Sequence, residues 1–233
     1  MKKDVSVVIP TYNEAGNILN LITALKKKLR SYDYEIIIVD DNSNDGTGAL
    51  VREKYQKDKH IVCILREDRP DLGLSILTGV KKAHSEIIVG MDADFNHDPG
   101  IVDRLIQSAK KYDLVVASRF IPGGGMAQTS RFWTSYVFNL LLRWVFRYPL
   151  TDNSSGYYAI KKEKLKLLDP AFIYQGYGEY HLRLVHSARK KQFTFHEIPV
   201  FYQKRIYGVS KSKLLQMFIT QLKTAIMLSL HSR

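Results

Sequence analysis

The sequence predicts an α/β fold with a mostly parallel, twisted sheet and helices on both of its faces. Three observations predict it. In the first half, short runs of β-branched residues alternate with stretches of helical periodicity. The runs are apolar without alternation, as expected of strands covered on both sides. Each run also closes in a polar turn, and the turns after the first, second and fourth runs carry the acidic residues.

Taken in order, strands are expected over residues 5–9, 36–39, 61–65, 87–91 and 114–117. The helices between them are expected over 14–30, 47–57, 72–84 and 99–111. Asn42 and Asp45 sit where a turn and a helix cap are needed, and Asp98-Pro99 reads as N-cap and first helical residue. The second half is less regular. It shows a glycine loop at Gly123-Gly124-Gly125, a helix over 131–147, a strand over 156–160, a helix over 178–191, strands within 193–202 and a helix from 211. No repeat, low-complexity tract or linker divides the chain, so residues 1–233 are expected to form a single domain.

Charge is distributed unevenly along this frame. Residues 1–117 hold 17 Lys+Arg and 18 Asp+Glu, net −1, whereas residues 118–233 hold 18 Lys+Arg and 5 Asp+Glu, net +13. A basic second half suits an anionic partner: a phosphorylated substrate, an anionic membrane surface or a nucleic acid. The single cysteine, Cys63, lies in an apolar run and is expected to be a buried, reduced thiol, which favours the cytosol. The start of the chain has no signal-peptide pattern, and charges interrupt the two most apolar stretches, so no membrane span is expected.

The chemistry centres on Asp92-Ala93-Asp94 at the end of the fourth strand. Alternation along an extended backbone would place both carboxylates on one side, where they repel unless a cation lies between them. Hard oxygen donors suit Mg²⁺ or Mn²⁺, which keep positions open for substrate phosphates. In a parallel sheet the loops at the carboxyl strand ends converge on one crevice. That crevice would therefore join this motif to Pro10-Thr11-Tyr12-Asn13-Glu14 and to Asp40-Asp41-Asn42-Ser43.

These three segments resemble the family 2 glycosyltransferases. The resemblance implies a GT-A fold holding a nucleotide sugar in the crevice. It further implies that Pro10, Tyr12 and Glu14 line the nucleotide pocket, that Asp41 meets the base, and that Asp92, Ala93 and Asp94 hold metal and diphosphate. Asn96 departs from the residues usual at its position in the related enzymes, but its carboxamide can lend the metal a further oxygen. In the second half, Ala117-Ser118-Arg119-Phe120, the glycine loop, Arg131, Asp152–Tyr157, Glu197–Val200 and Arg205–Lys211 resemble the dolichyl-phosphate mannosyltransferase branch. There the resemblance implies that Arg119 and Arg131 bind the acceptor phosphate and that Arg119, Arg205 and Lys211 bind the donor. Asp94, Arg119 and Arg131 become the catalytic set.

On this reading, residues 1–117 form a nucleotide-sugar-binding half, 118–210 an acceptor-binding half, and 211–233 a C-terminal amphipathic helix. The activity expected is inverting transfer of a hexose, mannose from GDP-mannose being favoured, to a polyprenyl or dolichyl phosphate at the cytoplasmic face of a membrane. A phosphate monoester is already anionic at neutral pH and needs no protein base. Asp152 and Glu179 would become base candidates only for a sugar-hydroxyl acceptor. Aromatic and apolar residues at helical spacings over 131–148, with Arg143 and Arg147 among them, suit a peripheral membrane contact. A chain ending at Arg233 would rely on that contact or on an anchoring partner subunit.

The alternatives are a UDP-sugar or glycan-hydroxyl enzyme of the same family and, from another class, a basic nucleic-acid-binding module. The acidic strand ends argue against a nucleic-acid partner. A dinucleotide fold is excluded because Pro10–Glu14 replaces the glycine fingerprint, and no P-loop is present.

Overall fold

The computed structural model describes residues 3–204 and 214–230. The first βα units are β1 (Lys3–Thr11), α1 (Ile18–Leu29), β2 (Tyr34–Asp40), α2 (Thr47–Tyr55), β3 (Ile61–Leu65), α3 (Leu72–Lys82) and β4 (Ser85–Gly90). A 3-10 turn over Pro99–Ile101 then leads into α4 (Val102–Ala109) and β5 (Leu114–Ser118). The second half contributes β6 (Gly125–Met126), α5 (Thr129–Phe146), β7 (Tyr158–Lys161), α6 (Lys162–Leu165) and α7 (Pro170–Ile173). It closes with α8 (Glu179–Lys190), β8 (Phe195–Pro199), β9 (Phe201–Tyr202) and α9 (Leu214–Leu230).

Seven strands form one sheet in the order β3-β2-β1-β4-β7-β5-β8. All its pairings are parallel except those of β7, which runs antiparallel between β4 and β5. The sequence did not reveal this reversal, because the 156–160 run is apolar like its neighbours and strand direction leaves no local trace. β6 and β9 form a separate two-stranded parallel pair.

Side chains alternate cleanly across the sheet. Val5, Val7 and Ile9 of β1 join Ile36 and Ile38 of β2 in a core with α1, α2 and α4. Val8, Ile37 and Val39 face the opposite way, against α3, α5, α7, α8 and α9. Each of these aliphatic side chains is fully buried, which is worth about 1.5–3 kcal/mol per residue. Gly79 permits α3 to approach closely, since a Cβ there would lie 2.4 Å from a methyl of Val8.

Several boundaries differ from the sequence expectation. α1 starts at Ile18 rather than near residue 14, because Asn13 turns through φ 55° and the Glu14 carbonyl accepts the Asn17 and Ile18 N–H groups in an isolated turn. The Asp98 side chain caps Gly100 N–H at 2.7 Å with Pro99 following, as expected. Cys63 is only half-buried, because β3 is an edge strand; burial still pushes its thiol up to about 11, an unreactive state.

The chain runs outward through β1, β2 and β3 and then returns to β4 on the other side of β1. That reversal between β1 and β4 is the point where an open α/β sheet offers a crevice at its carboxyl edge.

Candidate active site

Two adjoining cavities open at that edge. The first, about 340 Å³, is lined by Pro10, Thr11, Tyr12, Glu14, Asp41, Pro70, Asp71, Leu72, Asp92, Ala93, Asp94 and Tyr177. The second, about 520 Å³, is lined by residues that include Asp92, Asn96, His97, Arg119, Arg131, Ser154, Tyr180 and His181. Asp92, Leu72 and Tyr177 line both. Pro10, Tyr12, Glu14, Asp41, Asp92, Ala93 and Asp94 thus meet in one cleft, while Asn96, Arg119 and Arg131 stand in the other. Arg205 and Lys211 lie outside the described residues.

The wall of the first cavity is stitched across the sheet edge. Asn13 N–H donates to Ser43 Oγ at 2.9 Å, Asn44 N–H to Asn13 Oδ1 at 2.9 Å, and Glu14 N–H to Thr47 Oγ1 at 2.9 Å. Asp45 accepts from Ala15 N–H and Thr47 N–H, both at 3.0 Å, and Asn42 adopts a left-handed turn, so these two residues serve structure as expected. Asp41 is buried and pairs with Arg66, and its other oxygen accepts Asp71 N–H at 2.6 Å. Burial pushes its carboxyl up, against the opposing pull of Asp71 N–H and Arg66. Arg66 was not anticipated. It follows the last residue of β3 by one position, and only the sheet order carries it to Asp41.

The Asp-Ala-Asp segment departs from the geometry expected of it. β4 ends at Gly90, and residues 93–97 form a tight bend with Phe95 at φ 62°. The two carboxylates share a cleft through that bend, not through strand alternation. Asp92 is partly exposed at the rim, whereas Asp94 is buried. Asp94 accepts Asn96 N–H at 3.0 Å and Asn96 Nδ2–H at 2.9 Å. Asp92 N–H donates to His97 Nδ1 at 2.8 Å, which leaves the ring hydrogen on Nε2, 3.7 Å from Asp92 Oδ2. His97 is buried and stacked on Tyr157 at 4.8 Å, a fixed support for the bend that sequence spacing did not single out.

No group of three or more His, Cys, Asp or Glu side chains able to hold a metal occurs among the described residues. Two carboxylates and a carboxamide are instead an incomplete hard-oxygen shell. That fits Mg²⁺ or Mn²⁺, which commonly take one or two carboxylates and complete their coordination with water and substrate phosphate.

In the second cavity, Arg119 is held from all sides. Asp152 takes its Nε and Nη2 hydrogens, Ser154 Oγ accepts from Nη2 at 3.0 Å, and the rings of Phe120 and Tyr202 each lie 4.9 Å from its centre. Burial opposes the charge, but the Asp152 carboxylate outweighs it and raises the guanidinium pKa. The loop carrying Asp152 is itself anchored. Glu197 accepts Thr151 N–H at 2.8 Å, and Asn139 of α5 accepts Asn153 N–H at 2.7 Å. Arg131 rises from the first turn of α5 into the same cavity.

Residues 6–168 match the family model described as glycosyl transferase family 2. The chain belongs to glycosyl transferase family 2. Among curated relatives of this family 2 enzyme, it is 30% identical over 213 residues to an undecaprenyl-phosphate mannosyltransferase of Micrococcus luteus, with 89% of this chain and 86% of that protein covered. It is 32% identical to a polyprenol monophosphomannose synthase of Mycolicibacterium smegmatis, with 88% and 79% covered. The fold is that of glucosyl-3-phosphoglycerate synthase from Mycobacterium tuberculosis, solved with Mn²⁺, UDP-glucose and phosphoglyceric acid. That match has a TM-score of 0.73 at 20% identity and covers 97% of this chain and 80% of the other. The GT-A architecture of the glycosyltransferase is therefore shown.

Proposed function

We propose that the chain transfers mannose from GDP-mannose to a polyprenyl phosphate with inversion at the anomeric carbon. The observation that carries this reading is the meeting of the two cavities at Asp92. A donor lying in the first would direct its sugar into the second, where arginines stand. The naming of two relatives as mannosyltransferases acting on undecaprenyl phosphate and as a polyprenol monophosphomannose synthase supports the same sugar and acceptor.

The nucleotide would lie along Pro10, Tyr12 and Glu14. Tyr12 offers a ring to stack on, and Asp41, with each oxygen already accepting one hydrogen bond, retains lone pairs for a base N–H. Asp92 and Asp94 would hold Mg²⁺ or Mn²⁺, and rotation of the Asn96 carboxamide would bring its oxygen to the same place. Such a cation neutralises the diphosphate as it leaves. Arg131 supplies the cation for the acceptor phosphate. Arg119, formally neutralised by Asp152, supplies directed hydrogen bonds rather than net charge. The acceptor oxygen carries its own negative charge, so the protein's task is in-line placement. A sugar-hydroxyl acceptor would require a base. Asp152 is fully buried against Arg119, and Glu179 does not line either cavity.

Contact with a membrane is assigned to α5. Trp133, Val137, Leu141, Trp144 and Val145 are exposed on one side of that helix, with Trp144 79% exposed, and Arg143 is nearby. No helix among the described residues is long and apolar enough to cross a membrane. An interfacial seat at the cytoplasmic face would bring a lipid phosphate to Arg131 at the start of the same helix. An anchoring partner subunit remains part of this proposal.

A donor screen tests the activity. With Mn²⁺ and a short polyprenyl phosphate, GDP-mannose should support turnover and UDP-glucose should not, and the product should be the β-mannoside. An α-linked product or exclusive use of UDP-sugars would reject this reading.

A further inference from the structure

The second cavity contains two buried histidines, and they differ in one respect. His97 has its Nδ1 occupied by Asp92 N–H. His181, in the first turn of α8, is 1% exposed, yet neither of its ring nitrogens finds a hydrogen-bond partner among the described residues. A buried polar group without a partner loses its water and gains nothing in return, so such a group in a ligand cavity points to something absent from the protein itself. A second orphan lies in the same cavity: Gln221 Oε1 of α9 is buried and unpartnered, while its Nε2 donates to Gly178 O at 3.4 Å, next to the start of α8.

The chemistry of these three atoms restricts the ligand. Burial lowers the His181 pKa from 6.5 to about 4, with Arg119 and His97 adding to that and Asp152 opposing it. At neutral pH the ring therefore offers one N–H and one lone pair, and Gln221 Oε1 offers only lone pairs. A dianionic phosphate has no hydrogen to give and would face two acceptors. A hydroxyl both gives and takes, and a sugar presents several side by side.

We propose that His181, supported by Gln221, binds hydroxyl groups of the transferred sugar and so helps to select which hexose is accepted. This rests on the donor reading above, in which the sugar extends past Asp92 into the second cavity. The residue acts on the sugar and not on the nucleotide, the metal or the acceptor phosphate, and that separation makes it testable.

The experiment compares wild-type protein with His181→Phe, which keeps the bulk and removes both nitrogens, and with His181→Gln, which restores a donor and an acceptor. Calorimetry with GDP and Mn²⁺, steady-state KM for GDP-mannose and KM for a short polyprenyl phosphate are measured for each. The expected result is a rise of about tenfold in the GDP-mannose KM for His181→Phe. GDP affinity and acceptor KM should stay unchanged, and His181→Gln should show partial recovery. Monodeoxy-mannose donors should identify one hydroxyl whose removal costs wild type the same factor and costs His181→Phe nothing further. If His181→Phe does not fold, the deoxy donors are compared between wild type and His181→Gln, where a changed preference supports the inference. Normal GDP uptake with an unaltered GDP-mannose KM, or an equal loss for GDP and GDP-mannose, overturns the inference alone. Failure of the wild type to bind GDP with Mn²⁺ overturns the donor reading and this inference with it.

Discussion

The Arg119 guanidinium closes a two-point fork on the Asp152 carboxylate, Nε to Oδ2 at 2.7 Å and Nη2 to Oδ1 at 2.6 Å, with Asp152 fully buried. Removing one member of a buried pair strands the other's charge in a poor solvent. Asp152→Asn is expected to cost about 3–5 kcal/mol of stability. Urea denaturation of the variant measures this, and an unchanged midpoint would show that Asp152 is not the counter-ion that holds Arg119.

Asp94 is nearly inaccessible and accepts two hydrogen bonds from Asn96. Asp94→Asn preserves the shape of the bend and removes one carboxylate from the proposed cation shell. Turnover should fall by about 10²–10³-fold, with the circular dichroism spectrum unchanged. Near-wild-type turnover would remove Asp94 from the catalytic set.

His181 also predicts a pH effect on folding. Its pKa is depressed to about 4 in the folded protein from 6.5, so the unfolded chain binds a proton on this ring between those values and the folded chain does not. Stability from this residue is fully present above pH 6.5 and is lost as pH falls toward 4, by about 3 kcal/mol at most. Thermal melts from pH 7 to pH 4 should fall more steeply for wild type than for His181→Phe. Parallel curves would contradict a buried neutral ring.

Much of this arrangement was legible in local sequence. The β1, β2 and β4 runs are apolar on both faces, and their polar ends alone suffice to bring Tyr12, Glu14, Asp41, Asp92 and Asp94 to one cleft. What escaped was long-range. Arg66 reaches Asp41 across 25 positions, and Glu197 anchors Thr151 across 46. His97 lies only five residues from Asp92, but it needed the bend at Phe95 to bring its ring back onto the backbone. The reversed direction of β7 likewise depends on its neighbours, since its residues carry the same apolar pattern as a parallel strand.

The exposed side of α5 predicts a salt-sensitive association with anionic vesicles. Trp144→Ala removes the most exposed aromatic of that helix, and a lost indole contact of about 1.5–3 kcal/mol corresponds to weakening by tenfold or more. Vesicle sedimentation measures the partition, and turnover on a water-soluble short-chain acceptor should be unchanged. Equal binding by wild type and variant would place the membrane contact elsewhere.

In the proposed reaction a metal-bound donor beside Asp92 faces a phosphate acceptor beside Arg131. The most direct measurement is radiolabel transfer from GDP-mannose to a short polyprenyl phosphate and to the corresponding free polyprenol, each with Mn²⁺ and with chelator. Lipid-extractable label is expected only with the phosphate and the metal together. Label on the free alcohol, or transfer that persists undiminished in chelator, would contradict it.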